Sequence, residues 1–303
     1  MHHKLGITEV TKTVPLRPLL PFPALLIETS KKILVLADLH IGWEWDARFL
    51  QAGLYIPSQT PKLQEKLMKL IDEHRPDTLL LLGDVKQAIT RMSIEDWRVI
   101  PEFFENIQSH VDEIIVTLGN HDGELEPLTP PAVTIVPSHG LTIGQKPQIG
   151  LLHGHAWPSP EVLSSDILIM GHLHPVVWFR DKLGIWTVRQ VWVVSNCDSE
   201  KLAIAYLKYL NVTPTTKPRE VLLTKVGVEI HDPKLIIVPA FNDLVGGVSV
   251  HNLTRRLMGP IIRSTSVDID TAEIYLLDGT YLGDPVHLQN QLSIDSTKGK
   301  LDD

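Results

Sequence analysis

The sequence predicts an α/β fold, one continuous domain in which two β-sheets pack together. Three observations lead there. Five short apolar runs read as strands buried on both faces: "ILVLADLH" (33–40), "TLLLLGD" (78–84), "EIIVTLGNHD" (113–122), "IGLLHGH" (149–155) and "ILIMGHLH" (167–174). Helical patterns separate the first three, which implies right-handed crossovers and a largely parallel sheet in that half. Past residue 170 the helical pattern thins and more strand-like runs follow, enough for a second sheet.

"PLRPLLPFP" (15–23) is too proline-rich for a helix and reads as an extended lead-in. Thr60 and Pro61 suit an N-cap and first helical residue, with Leu63, Leu67, Leu70 and Ile71 on one stripe ending before Pro76. Ser93 with Asp96 three residues on resembles a capping box. Trp97, Ile100, Phe104 and Ile107 then supply an apolar face, with Pro101 a kink. "VVWFRD" (176–181) and "IWTVRQVWVVSN" (185–196) read as strands, and "SEKLAIAYLKYL" (199–210) as an amphipathic helix capped by Asp198 or Ser199. "PTTKPRE" (214–220) reads as a loop, "KLIIVPA" (234–240) and "AEIYLLDGT" (272–280) as strands. We expect a single domain over 1–290, its motif-bearing core at 33–196, completed by 197–290 and followed by a polar tail, 291–303.

Composition bounds the function. The 303 residues are 43% hydrophobic, enough for a sizeable core. Acidic residues outnumber basic ones 36 to 28, which argues against a broad basic footprint for nucleic acid. A single cysteine, Cys197, excludes an internal disulfide and a thiolate metal cluster. No apolar run is long enough to span a bilayer and no signal-peptide pattern opens the chain, so the expectation is a soluble, cytoplasmic protein without a membrane partner.

All five apolar runs end in potential metal ligands: Asp38 and His40; Asp84; Asn120 and His121; His153 and His155; His172 and His174. Taken singly, each is ordinary turn chemistry, or a buried histidine satisfied by a neighbour. As an ordered set they have another meaning, because sites in open α/β sheets lie at the carboxyl ends of strands. Carboxylate, amide oxygen and imidazole without sulfur suit Mn, Zn or Fe and disfavour Ca. There are enough donors for two ions if one carboxylate bridges. Two divalent ions against two aspartates and a hydroxide leave a positive centre that attracts phosphate despite the acidic chain.

The series "DLH … GD … GNHD … HGH … GHLH", over about residues 33–175, resembles the calcineurin-like metallophosphoesterases. "ADLHIGWE", "IPSQT", "LLGDVK" and "VPAFNDLVGG" resemble one archaeal and bacterial subgroup, the ICC-like phosphoesterases, whose bacterial relatives are associated with a DNA ligase and a helicase. The resemblance implies a four-layer α/β/β/α sandwich of two mixed sheets flanked by helices. It implies a hydrolase of phosphate esters: a phosphodiesterase, among them a nuclease on DNA or RNA, or else a small-nucleotide or phosphomonoester phosphatase. A metal-binding scaffold without catalysis is the competing class, and the full ligand set disfavours it. Two divalent metals are implied, manganese first, with zinc, iron or nickel as alternatives. Asp38, His40 and His174 would hold one ion, Asn120, His153 and His172 the other, with Asp84 bridging. His121 would be the proton donor or transition-state stabiliser, oriented by a neighbouring carboxylate, Asp122 being the candidate. Lys86, His155, Trp43 and Arg180 are candidate substrate contacts. Trp45, Arg48, Trp157 and Trp178 could add to a nucleic-acid groove, and "HNLTRR" (251–256) a small basic patch. A helicase or other DNA-processing protein is the implied partner. Gln87 stands where the subgroup often has histidine, so a substrate contact there does not carry over.

Overall fold

The computed structural model describes residues 16–45, 53, 56–89, 92–181, 183–253 and 259–288. Arg48, Arg255, Arg256 and the tail 291–303 lie outside the described residues. The first sheet contains β1 (Leu16–Pro18), β2 (Leu25–Glu28), β3 (Lys32–Leu36), β4 (Thr78–Leu81), β5 (Glu113–Thr117) and β6 (Val133–Val136), side by side in sequence order. β1, β2 and β3 run antiparallel, whereas β3 to β6 run parallel, as crossovers through helices require. Those helices are α1 (Thr60–His74), between β3 and β4, and α2 (Ile94–Gln108), between β4 and β5.

Alternation along these strands explains their unbroken hydrophobicity. Leu34, Leu36, Leu79, Leu81, Ile114 and Val116 pack outward against α1 and α2. Ile33, Val35, Leu80 and Leu82 point the other way, into a core shared with the second sheet. α2 starts with a true capping box: Ser93 Oγ accepts from Asp96 N, and Asp96 accepts from Ser93 N. Trp97 does not join its buried stripe and is 51% exposed; Val99 and Phe103 take that role beside Ile100, Phe104 and Ile107. For α1 the cap is Gln59 rather than Thr60, which is the first helical residue, and no side chain closes that end.

The second sheet contains β7 (Leu141–Ile143), β8 (Ile149–Leu152), β9 (Ile167–Met170), β10 (Pro175–Arg180), β11 (Trp186–Asn196), β12 (Lys234–Ile237), β13 (Val248–Ser249), β14 (Glu273–Leu276) and β15 (Tyr281–Gly283). Its order is β13-β10-β11-β12-β9-β8-β7, with β14 pairing β11 and β15 pairing β14. β8, β9 and β12 are parallel, and their neighbours make the sheet mixed. α3 (Pro160–Leu163) joins β8 to β9, and α4 (Ser199–Tyr209) follows β11, capped by Asp198. α5 (Pro218–Val226) begins inside the stretch expected to be a loop, because Pro218 is placed at the first helical turn where proline is tolerated. Val162 of α3 and α6 (Pro260–Arg263) cover the outer face of this sheet through Ile261 and Ile262. The result is helices, sheet, sheet and a second covering layer, the predicted α/β sandwich. No helix of the described residues is long and apolar enough to cross a membrane.

Candidate metal centre

Parallel strands from both sheets stop at one edge of the sandwich, and the chain turns sharply there. Asp38, His40, Asp84, His172 and His174 all have left-handed backbone, with φ of 58°, 45°, 50°, 69° and 42°. Asp and His tolerate this region better than most residues, yet strain of this kind costs about 1–3 kcal/mol each and clusters at functional sites. Hydrogen bonds continue past the strand ends and hold the turns: His40 N to Asp84 O at 2.9 Å, Ile41 N to Val85 O at 2.8 Å and Gly171 N to His153 O at 3.1 Å. Asp38 links the sheets, its Oδ2 accepting from His172 N at 3.0 Å. Two motif glycines are required by close approach. A Cβ at Gly119 would lie 2.2 Å from Asp84 Oδ1, and one at Gly171 2.7 Å from Asp38 Oδ2.

Asp84 is at the middle. Its Oδ1 accepts from His121 N at 2.9 Å, which fixes the carboxylate. Its Oδ2 lies 3.5 Å from His40 Nε2, 3.4 Å from His153 Nε2 and 3.9 Å from His121 Nε2. Two donor sets share it. Asp38, His40, Asp84 and His174 form one, and Asp84, His153 and His172 the other, with the ligand atoms of each set within 4.8 Å of one another. Asn120 Oδ1 approaches the second set, 3.2 Å from His153 Nε2.

The imidazole tethers show that the donors suit a cation. His153 Nδ1 is 2.7 Å from the Leu82 carbonyl and His174 Nδ1 is 3.0 Å from that of Gly246, so each ring carries a proton there. The Nε2 lone pairs then point inward, and carbonyl tethers of this kind are usual for metal-bound histidine. Inside, His153 Nε2 faces His172 Nδ1 at 3.1 Å, and His40 Nε2 faces His174 Nε2 at 3.3 Å. Either a proton or a metal ion can be held between nitrogens at these distances. The two carboxylates draw positive charge to this point. Burial works against the charged form of His153, but Asp84 and Asp38 outweigh it and raise its pKa to about 9. Burial likewise opposes the charged Asp38 and Asp84, yet His174 and His153 respectively hold their carboxyls below the usual range. His40 and His172 are pushed down to about 4 and about 3, chiefly by burial, and so stay neutral as ligands should.

Several expectations need correction. Asp122 does not orient the His121 ring. It accepts backbone N–H groups from Val85, Lys86 and Gly119, and burial raises its pKa to about 6. The His121 ring is held by the Gln87 carbonyl, 2.6 Å from Nδ1. Lys86 is not placed to touch a substrate: it is fully buried, and its Nζ donates to the carbonyls of Ala88 and His121. A lysine there neutralises carbonyl ends of two turns that carry site residues. Trp157 packs against Tyr206 and Tyr209 in a satellite core, and Trp45 packs on the α1/α2 side.

His155 lies beside the centre, its ring 5.2 Å from that of His153, with a buried Nδ1 that has no partner among the described residues. Trp43 is half-buried in a short turn that follows His40. Arg180 is exposed on β10. Sequence reasoning missed Asn242, a buried residue whose Nδ2 donates to the Leu39 carbonyl at 3.0 Å, and the Gly246 carbonyl that tethers His174. Cys197 is buried, and burial pushes its thiol up to about 12.

Comparison with known proteins agrees with this geometry. The family model described as calcineurin-like phosphoesterase matches residues 31–213. None of the curated proteins compared with the chain matches it. Among solved structures, the nuclease MPE of Pseudomonas putida superposes with a TM-score of 0.50 at 17% identity, over 88% of this chain and 94% of that one. Yfce, a phosphoesterase from E. coli, gives 0.33 at 18% identity over 51% and 75% of the two chains. An archaeal phosphodiesterase gives 0.28 at 17% identity over 50% and 78%. The fold agrees with the first of these, and the family model spans every strand end that carries a donor; the chain belongs to the calcineurin-like phosphoesterases and is a metal-dependent phosphoesterase.

Proposed function

We propose that this phosphoesterase is a dinuclear phosphodiesterase, that nucleic-acid phosphodiesters are its substrates, and that manganese is its metal. One observation carries the reading: Asp84 is shared by two donor sets that otherwise use different residues, with its Oδ2 near a histidine of each. Asp38, His40 and His174 would hold one ion and Asn120, His153 and His172 the other, with Asp84 between them. Two such ions, about 3.5–4 Å apart, supply activated water near neutral pH and neutralise charge at phosphorus. Mixed nitrogen and oxygen donors without sulfur admit manganese along with zinc and iron, and the motif likeness supports manganese first. The Pseudomonas putida protein of the same fold is named a nuclease, which is the reason to test nucleic acids first. The motif likeness to the ICC-like subgroup supports the same direction and a DNA-processing partner.

The chain's own groups have defined tasks in this reading. The Gln87 carbonyl keeps the proton of the His121 ring on Nδ1, so Nε2 is turned to the centre. With a second proton on Nε2, the ring as imidazolium can donate that proton to the leaving oxygen and return to the neutral Nδ1–H form. Asp122 fixes the turns at 85–86 and 119 and thereby places both Asp84 and His121. A screen with added manganese would compare bis(p-nitrophenyl) phosphate, single-stranded and duplex DNA and RNA, and small nucleotides. The expected outcome is diester hydrolysis that extends to polynucleotides and is abolished in Asp84→Ala. Exclusive turnover of monoesters or mononucleotides would overturn the proposal.

A further inference from the structure

β10 starts one residue after His174, and β11 returns beside it. β11 pairs with β12 only from Val193 to Asn196, so residues 186–190 extend past the carboxyl ends of β9 and β12. That is the edge where the donor residues gather. Trp178 is opposite Val188 and Arg180 opposite Trp186, so these four share one face. Trp192 and Val194, of the same parity on β11, are buried between the two sheets. The ribbon face therefore continues the inter-sheet interior outward, past the metal centre, where the first sheet no longer covers it.

What that face carries is unusual for a surface. Trp178 and Trp186 are 43% and 54% exposed, with ring centroids 6.4 Å apart. The Arg180 guanidinium lies 5.7 Å from the Trp186 ring, and its Nε donates to Gly184 O at 3.4 Å. The acid beside it, Asp181, is turned into the hairpin, its Oδ1 accepting from Leu183 N and Ile185 N. Open indole faces next to a positioned guanidinium match the chemistry of unpaired bases on a phosphate backbone. A duplex keeps its bases stacked on one another and offers no such faces. At about 3.3 Å per strand residue, Trp178 lies roughly 13 Å from His174, within reach of a strand whose phosphate enters the centre.

We propose that the β10–β11 ribbon is a base-stacking platform that binds single-stranded nucleic acid and leads it into the metal centre. The proposal deepens the phosphodiesterase reading and rests on it. The test uses the full chain, Trp178→Ala/Trp186→Ala, and Trp178→Phe/Trp186→Phe. Binding of fluorescent single-stranded DNA and RNA oligonucleotides is measured in chelator, without chemistry. Hydrolysis of the oligonucleotides and of bis(p-nitrophenyl) phosphate is measured with manganese.

We expect the alanine pair to weaken oligonucleotide binding at least tenfold, since stacking on one aromatic is typically worth about that much. The ratio of kcat/KM for oligonucleotide to that for bis(p-nitrophenyl) phosphate should fall similarly, and phenylalanine should restore most of both. The DNA and RNA arms show which sugar the platform takes. Unchanged binding and ratio, or equal loss on both substrates, would overturn the platform while leaving the diesterase standing. So would a shift from dimer to monomer in the alanine pair with binding intact, which would make the ribbon a self-association surface. No hydrolysis of any diester would instead remove the reading beneath it.

Discussion

His121 illustrates how one residue can serve two ends of a site. Its backbone N–H fixes Asp84, while its ring, set by the Gln87 carbonyl, faces Asp84 Oδ2. His121→Ala keeps the first function and removes the second. Turnover should fall by about 10²–10⁴ with metal content retained, as for loss of a general acid; elemental analysis beside the rate assay checks both, and full activity in metal-loaded protein would refute the role. Gly119→Ala attacks the same carboxylate from the other side, since its Cβ would overlap Asp84 Oδ1. We expect loss of bound metal and a lower melting temperature, read by metal analysis and circular dichroism. The donors themselves were legible in the sequence because each follows its strand within four residues. The Gln87 tether was not, because a backbone carbonyl has no letter of its own. Buried Lys86 was missed for another reason: lysine is almost never fully buried unless its charge is answered, here by two carbonyls.

Among the elements, α2 shows where periodicity stops being informative. Trp97, Ile100, Phe104 and Ile107 fit a helical stripe, but packing on the first sheet buries Asp96, Val99 and Phe103 beside Ile100, Phe104 and Ile107 and leaves Trp97 out. The capping box was legible because its two partners are local. Ser93→Ala should cost about 1 kcal/mol, seen as a lower urea midpoint with an unchanged slope; an unchanged midpoint would mean that the box is redundant. In the first sheet β3, β4 and β5 were legible as doubly buried runs, whereas β2 and β6, four residues each, were not. Short edge pieces such as β7, β13 and β15 were not either, since two or three residues hold no period.

At the scale of the molecule, two sheets are joined at one edge by donors drawn from both. Asp38 follows a first-sheet strand and His172 and His174 a second-sheet strand, and the Asp38 bond to His172 N spans them. A cation bound by both halves stabilises only the folded form. Manganese at one hundred times its Kd should add about 2.7 kcal/mol. Calorimetry should show the melting temperature rising with manganese and falling in excess chelator, with neither effect in Asp84→Ala. A metal-independent melting point would show that the donors do not hold an ion across the seam.

The left-handed turns at Asp38, His40, Asp84, His172 and His174 carry a consequence for the chain's history. Glycine would relax each of them, at the loss of a donor. A duplicate released from catalysis would yield first at His40 and His172, because glycine at Asp38, Asp84 or His174 would also break a bond to His172 N, His121 N or the Gly246 carbonyl. Imidazoles that persist at the two weaker corners would therefore report selection for turnover rather than for the fold.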